Sequence, residues 1–157
     1  MNLAVVRSIG TARGWRSEED AADFEQEIID QYALAMAAAG LSDAYISHSR
    51  TAIFELRSHV NIPLWQVKPA DADAFLAGLR RAGLAASTRA GKAGVIAQFF
   101  DFAISRYQAD INALTGWVIE QPIDEYSMTG FRLMTEKGKI APDGRLYRSG
   151  QMGNAIF

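Results

Sequence analysis

The sequence predicts an all-α protein, a compact bundle of four or five short helices followed by a glycine-rich tail. Before residue 117 no stretch of any length alternates apolar and polar residues as an amphipathic strand does. Apolar residues recur instead at helical spacing, in runs bounded by residues that begin or end helices. With 49% hydrophobic and 22% charged residues, the 157-residue chain has enough apolar side chains to bury a core.

The first two helices are predicted from their boundary residues. Ser17 precedes three acids, which the positive end of a helix dipole favours, and Gly40 ends the run. Ser42 opens a second run, which ends at Asn61–Pro63 because the residue before a proline is pushed out of the α region. The apolar positions in the two runs are Phe24, Ile28, Leu34 and Met36, then Tyr45, Ile46, Ile53, Phe54, Leu56 and Val60.

A third helix is predicted after a short extended piece at Trp65–Val67. Pro69 lies near its first turn, where Asp71 and Asp73 also compensate the helix dipole. Gly83 ends it, as glycine commonly does at a helix C-terminus.

The fourth helix is the most hydrophobic segment, yet it opens with Ser87, Thr88, Arg89 and Lys92. Ser87 or Thr88 is predicted to cap it. At ~100° per residue, Lys92 falls inside the apolar arc of this helix and Arg89 at its edge. Either the two cations lay their aliphatic stems over the end of the core, or the first turn binds phosphate through hydroxyls, cations and free N–H groups.

Two glycines in this helix need a reason. Gly91 and Gly94 each cost a helix about 1 kcal/mol relative to alanine. That cost is expected where DNA or a neighbouring helix approaches the backbone closely.

A second cationic strip is predicted on the second helix, from Ser47, His48, Arg50 and Arg57. Spacings of three and seven residues keep side chains on one side of a helix. The strip is either a solvated face or, beside the head of the fourth helix, part of a concave basic surface.

The charge distribution qualifies the net charge of −2. Residues 1–40 hold three basic and seven acidic residues, residues 41–120 hold eight and seven, and residues 121–157 hold five and four. An acidic first helix therefore masks a middle region that is close to neutral, and phosphate binding depends on the local patch.

Composition offers little for catalysis, metals or membranes. The chain has no cysteine, which excludes disulfides, thiol catalysis and cysteine zinc sites. His48 and His59 lack a metal-binding spacing, and no nucleotide-binding glycine motif is present. No apolar stretch approaches the roughly 20 residues that a membrane span needs. We expect a cytoplasmic protein without cofactor, metal or membrane partner, and not an enzyme by itself.

The tail changes character at residue 126. A short turn around Asp110–Leu114 is predicted after the fourth helix, and the last 30 or so residues are rich in glycine. A Pro-Asp-Gly turn signal there is compatible with a β-hairpin, and an irregular tail is the alternative. The predicted organisation is an N-terminal arm at 1–16, a helical domain at 17–125 and a tail at 126–157.

The order of these signals resembles the N-terminal core-binding, SAM-like domain of tyrosine recombinases (phage-type integrases), over residues 20–125. Each motif is degenerate, but their order and spacing together are specific. The residues that hold the family's places are Trp65, Val67, Asp71, Phe75, Leu76, Leu79, Gly83, Ser87, Thr88, Phe99, Phe100 and Phe102.

The resemblance implies an orthogonal bundle that clamps one side of duplex DNA, with a separate catalytic domain on the other side. By position, Ser47, His48, Arg50, Ser87, Thr88, Arg89 and Lys92 would face DNA, whereas Trp65, Phe75, Phe99 and Phe100 would be core. The family's catalytic arginines, His-x-x-Arg motif and tyrosine nucleophile have no counterpart here.

The predicted function is therefore duplex DNA binding of the integrase type, without catalysis. A recombinase catalytic domain or a second copy of the chain is a further expected partner. A helical protein-interaction or self-association module is the alternative from another class, and a small-molecule-binding bundle is a third.

Overall fold

The computed structural model describes residues 17–124 and 127. Within them the chain forms four α-helices and one 3₁₀ turn, with no strand, so the all-α prediction is confirmed. The helices are α1 (Glu18–Ala38), α2 (Asp43–Val60), α3 (Pro69–Arg81) and α4 (Ala86–Thr115), and the 3₁₀ turn is Leu64–Gln66. The predicted N-terminal arm and the predicted hairpin lie outside the described residues.

Local signals set the ends of α1 and α2 as predicted. The Ser17 hydroxyl accepts a hydrogen bond from the backbone N–H of Asp20 at 3.3 Å. The Ser42 hydroxyl accepts one from Tyr45 at 3.1 Å. After α1 the chain turns at Gly40, whose φ of +83° lies in the left-handed region that favours glycine.

The predicted boundaries of α3 are also confirmed. Pro69 is its first residue, and the Asp71 carboxylate accepts a hydrogen bond from the backbone N–H of Lys68 at 2.8 Å. Gly83 follows the helix with a φ of +87°.

The start of α4 corrects one prediction. Its N-cap is Ala85, and Ser87 and Thr88 lie inside the first turn, where neither caps the helix. The reason is the short connection after α3. Only residues 82–85 separate the two helices, so the chain is already helical at Ala86.

The end of α4 corrects a second prediction. Residues 110–114 form no turn, because α4 continues to Thr115 and spans 30 residues. Ile111 is fully buried, and its packing holds in the helix a segment whose aspartate and asparagine favour turns locally. The helix ends at Gly116, whose φ is +77°.

A third correction concerns the segment before α3. Instead of an extended piece at Trp65–Val67, residues 64–66 form a tight 3₁₀ turn. Leu64 and Trp65 are both buried, at 2% and 3% exposure. Consecutive residues of an extended strand point to opposite faces, so burying both on one side requires a turn.

The core surrounds α4, which packs against each of the other three helices. Rings from different elements meet there at tilted and edge-on angles, including Phe24 with Trp65 at 5.9 Å and Tyr32 with Phe99 at 5.5 Å between centroids. The residues predicted as core by position, Trp65, Phe75, Phe99 and Phe100, are all buried. Leu34 and Phe54, which helical spacing also grouped with the apolar positions, are exposed.

A strap of residues 117–124 runs back along α4. The Gln121 side chain fixes it, donating hydrogen bonds to the Ala97 carbonyl and the Asp101 carboxylate, both at 2.8 Å. The strap also buries Ile119, Pro122 and Ile123 against the helices. Residues up to 124 therefore belong to the helical unit.

Tyr32 makes the stability of this core depend on alkaline pH. Burial, followed by the nearby Tyr45 and Asp101, raises the pKa of Tyr32 to about 12. The unfolded chain ionises this phenol near pH 10, so stability is unaffected below about pH 10 and falls as the pH rises towards 12.

We expect a Tyr32→Phe variant to lack this loss of stability at alkaline pH, because it has no phenol to ionise. Urea unfolding at pH 9, 10 and 11 should show wild type losing about 1 kcal/mol more than the variant between pH 10 and 11. An identical pH dependence for the two proteins would contradict the burial of the phenol.

Candidate nucleic-acid interface

Helices α2 and α4 lie side by side and antiparallel. Near the start of α2, the Tyr45 hydroxyl donates to the Gln98 side chain at 3.2 Å. Further along α2, Glu55 accepts from the Lys92 ammonium at 2.7 Å. The C-terminal end of α2 therefore lies next to the first turns of α4.

Lys92 is the most buried of the predicted DNA-facing residues. It is 9% exposed, which agrees with its predicted place inside the apolar arc of α4. Its ammonium group forms an ion pair with Glu55. The charge is therefore neutralised inside the protein, rather than carried to solvent over the end of the core.

The two arginines of the α2 strip are also neutralised. They lie on one side of α2, as their seven-residue spacing predicts, and in the structure this side faces α1. Arg50 pairs with Asp30 at 3.1 Å, and Arg57 pairs with Glu25 at 2.9 Å. The acidic first helix thus supplies the partners of the strip.

Ser47 and His48 are exposed near the start of α2. Because α2 and α4 are antiparallel, this end of α2 lies at the level of Gln98, away from the head of α4. The structure therefore does not bring Ser47 and His48 together with Ser87, Thr88 and Arg89 into one concave surface.

Three of the four cations that carry no ion pair in the described part of the chain lie near the α3–α4 connection. Arg80, Arg81 and Arg89 have no carboxylate partner among residues 17–124 and 127. All three flank the connection between α3 and α4. A fourth arginine without a carboxylate partner, Arg106, lies over the Phe102 ring.

We call the group Arg80, Arg81, Ser87, Thr88 and Arg89 the junction surface. The sequence prediction included its α4 members and missed its α3 members. The signal was present, because α3 ends in an Arg-Arg pair that only Ala82 separates from Gly83, and the next helix begins only five residues after Arg81. Local reasoning could not show which of the other cations in the described residues form ion pairs with carboxylates.

The first turn of α4 adds donors to this surface. It contains no acidic residue and has no side-chain cap, and Ser87 and Thr88 are exposed. The first N–H of this helix with a backbone acceptor is that of Arg89, which donates to Ala85 at 3.0 Å. The Nε atom of Arg89 is buried and lacks a hydrogen-bond partner in the described part of the chain.

The two glycines of α4 have no close neighbour within the described chain. A Cβ atom added at Gly91 or Gly94 would meet nothing within 4 Å. The sequence left two explanations for these glycines, a close approach of DNA or of a neighbouring helix. Within the described residues, the neighbouring-helix explanation is wrong.

Other kinds of site are not evident in the part of the chain that the structure describes. Residues 17–124 and 127 contain no group of three or more His, Asp or Glu side chains that could hold a metal ion. None of the helices in this part of the chain combines the length and the apolar composition of a membrane span. Comparison with known proteins finds no matching protein family, curated protein or solved structure.

Proposed function

We propose that this chain binds the phosphate backbone of duplex DNA through the junction surface. The observation that carries the proposal is the partition of its cations. Within residues 17–124 and 127, four cations are paired with carboxylates, whereas three of the four that are not flank the connection between α3 and α4. A cation without an internal partner is free to contact an external anion.

The chemistry of the junction suits phosphate. Arginine presents a planar fork of donors that matches phosphate oxygens. Unbonded N–H groups and hydroxyls at a helix N-terminus add further donors for anions. With about three cationic contacts and a net charge of −2, we expect weak binding that is sensitive to salt.

The resemblance to tyrosine recombinases makes the proposal more specific. Ser87, Thr88 and Arg89 occupy positions that the resemblance assigns to DNA-facing groups, and they belong to the junction surface. We propose an integrase-type DNA-binding domain with an orthogonal, SAM-like arrangement. Strand cleavage would belong to a separate recombinase catalytic domain.

The test is a salt titration of binding to a fluorescent duplex, read by anisotropy, with wild type and single variants. The slope of log K against log salt is negative, and Arg89→Ala should make it shallower by about one unit. Lys92→Ala should leave the slope unchanged and lower thermal stability, because Lys92 is already paired with Glu55.

The outcomes separate the hypotheses. Wild-type protein that shows no salt-sensitive binding to duplex at low ionic strength would overturn the DNA proposal. A slope that falls as much with Lys92→Ala as with Arg89→Ala would show that the Lys92–Glu55 pair opens for DNA, contrary to the proposed division between paired and free cations.

Exposed apolar side chains favour the alternative, a self-association module. Trp117 and Val118, adjacent in the chain, are 40% and 52% exposed. Sedimentation velocity over a range of protein concentrations tests this alternative. Self-association that persists in Arg89→Ala, together with an absence of DNA binding, would support it.

A further inference from the structure

His59 lies beside the arginine at the end of α3. A Cβ atom built on Gly78 would lie 4.0 Å from the His59 ring and 3.9 Å from the Arg81 guanidinium, so both groups border one point. The exposed imidazole also packs edge-on against Phe75, at 5.6 Å between ring centroids. His59 is therefore held next to Arg81 by packing against α3.

The same histidine lies at the level of the first turn of α4. The Glu55–Lys92 ion pair sets the register of the antiparallel α2 and α4 helices. His59 is one turn after Glu55 in α2, and Thr88 and Arg89 are one turn before Lys92 in α4. His59 therefore lies at about the same height along the helix pair as the first turn of α4.

We propose that His59 and Arg81 together bind phosphate beside the first turn of α4. An anion bound there would contact the C-terminal ends of α2 and α3 and the N-terminal end of α4. The inference rests on the proposed function and adds one residue to it. It assigns a binding role to His59, which sequence spacing considered only as a metal ligand.

The experiment compares four full-length variants with wild type in a salt titration of binding to the same duplex. Arg81→Ala is matched by Arg106→Ala, which removes an arginine that lies over Phe102 outside the junction surface. His59→Gln is matched by His48→Gln, which removes the only other histidine of the chain. Circular dichroism melting checks that each variant folds.

We expect His59→Gln to bind the duplex more weakly than wild type, and His48→Gln to bind it as tightly as wild type. Arg81→Ala should lower the salt slope by about one unit, and Arg106→Ala should not.

If His59→Gln binds as tightly as His48→Gln, the inference is wrong, and the proposed function still stands provided that Arg89→Ala weakens binding. If Arg81→Ala behaves as Arg106→Ala, the inference and the proposed junction surface are both contradicted, because Arg81 belongs to both. A wild-type protein that binds no duplex overturns both proposals.

Discussion

Replacing Phe99 with alanine is expected to lower the free energy of unfolding by about 4 kcal/mol. Phe99 is 1% exposed, and its ring packs edge-on against Tyr32 and Phe100, at 5.5 and 5.4 Å between centroids. Because the site lies where α1 meets α4, a cavity there removes contacts from two helices at once. Urea unfolding at neutral pH measures the loss.

Phe102→Ala is the matched control. Phe102 lies one turn further along α4 and is only partly buried, although it also contacts the Tyr32 ring, at 5.2 Å. Its truncation should cost about 2 kcal/mol, since part of the ring already faces solvent. Equal losses at the two positions would contradict the central place of Phe99 in the core.

Replacing Glu25 with alanine is expected to cost about 3 kcal/mol, an effect that comes from a carboxylate rather than an apolar side chain. Glu25 is 8% exposed. One oxygen accepts from the Arg57 guanidinium at 2.9 Å, and the other accepts from the backbone N–H of Leu64 at 2.6 Å. The substitution leaves both donors without their acceptor, and leaving a buried donor unpaired is costly.

Asp30→Ala is the control for Glu25→Ala. Asp30 also pairs with an arginine of α2, but its side chain is 52% exposed and that of Arg50 is 34% exposed. Exposed ion pairs contribute about 0–1 kcal/mol, so this variant should unfold close to wild type. If Glu25→Ala costs no more than Asp30→Ala, the Glu25 carboxylate does not tie α1 to the segment before α3.

The limits of three helices could be predicted from sequence because the causes are local. A serine hydroxyl caps α1 and α2 by reaching an N–H three residues away, and a proline or glycine acts on its own backbone. The exceptions were α4 and the 3₁₀ turn. Burial of Ile111 and of the pair Leu64–Trp65 outweighed the local preference of those segments.

Helical spacing likewise determined, from sequence alone, that Lys92 lies on the buried side of α4 and that Arg50 and Arg57 share one side of α2. Which carboxylates these cations meet was decided only by tertiary structure. Partner choice depends on which helices are neighbours and in what direction they run, and residue spacing within one helix carries no such information. Because α2 and α4 are antiparallel neighbours, Lys92 forms an ion pair with Glu55, and because α1 packs against α2, Arg57 forms an ion pair with Glu25. Among the cations that the structure describes, those available to an external anion are the arginines without such a carboxylate partner, three of which flank the connection between α3 and α4.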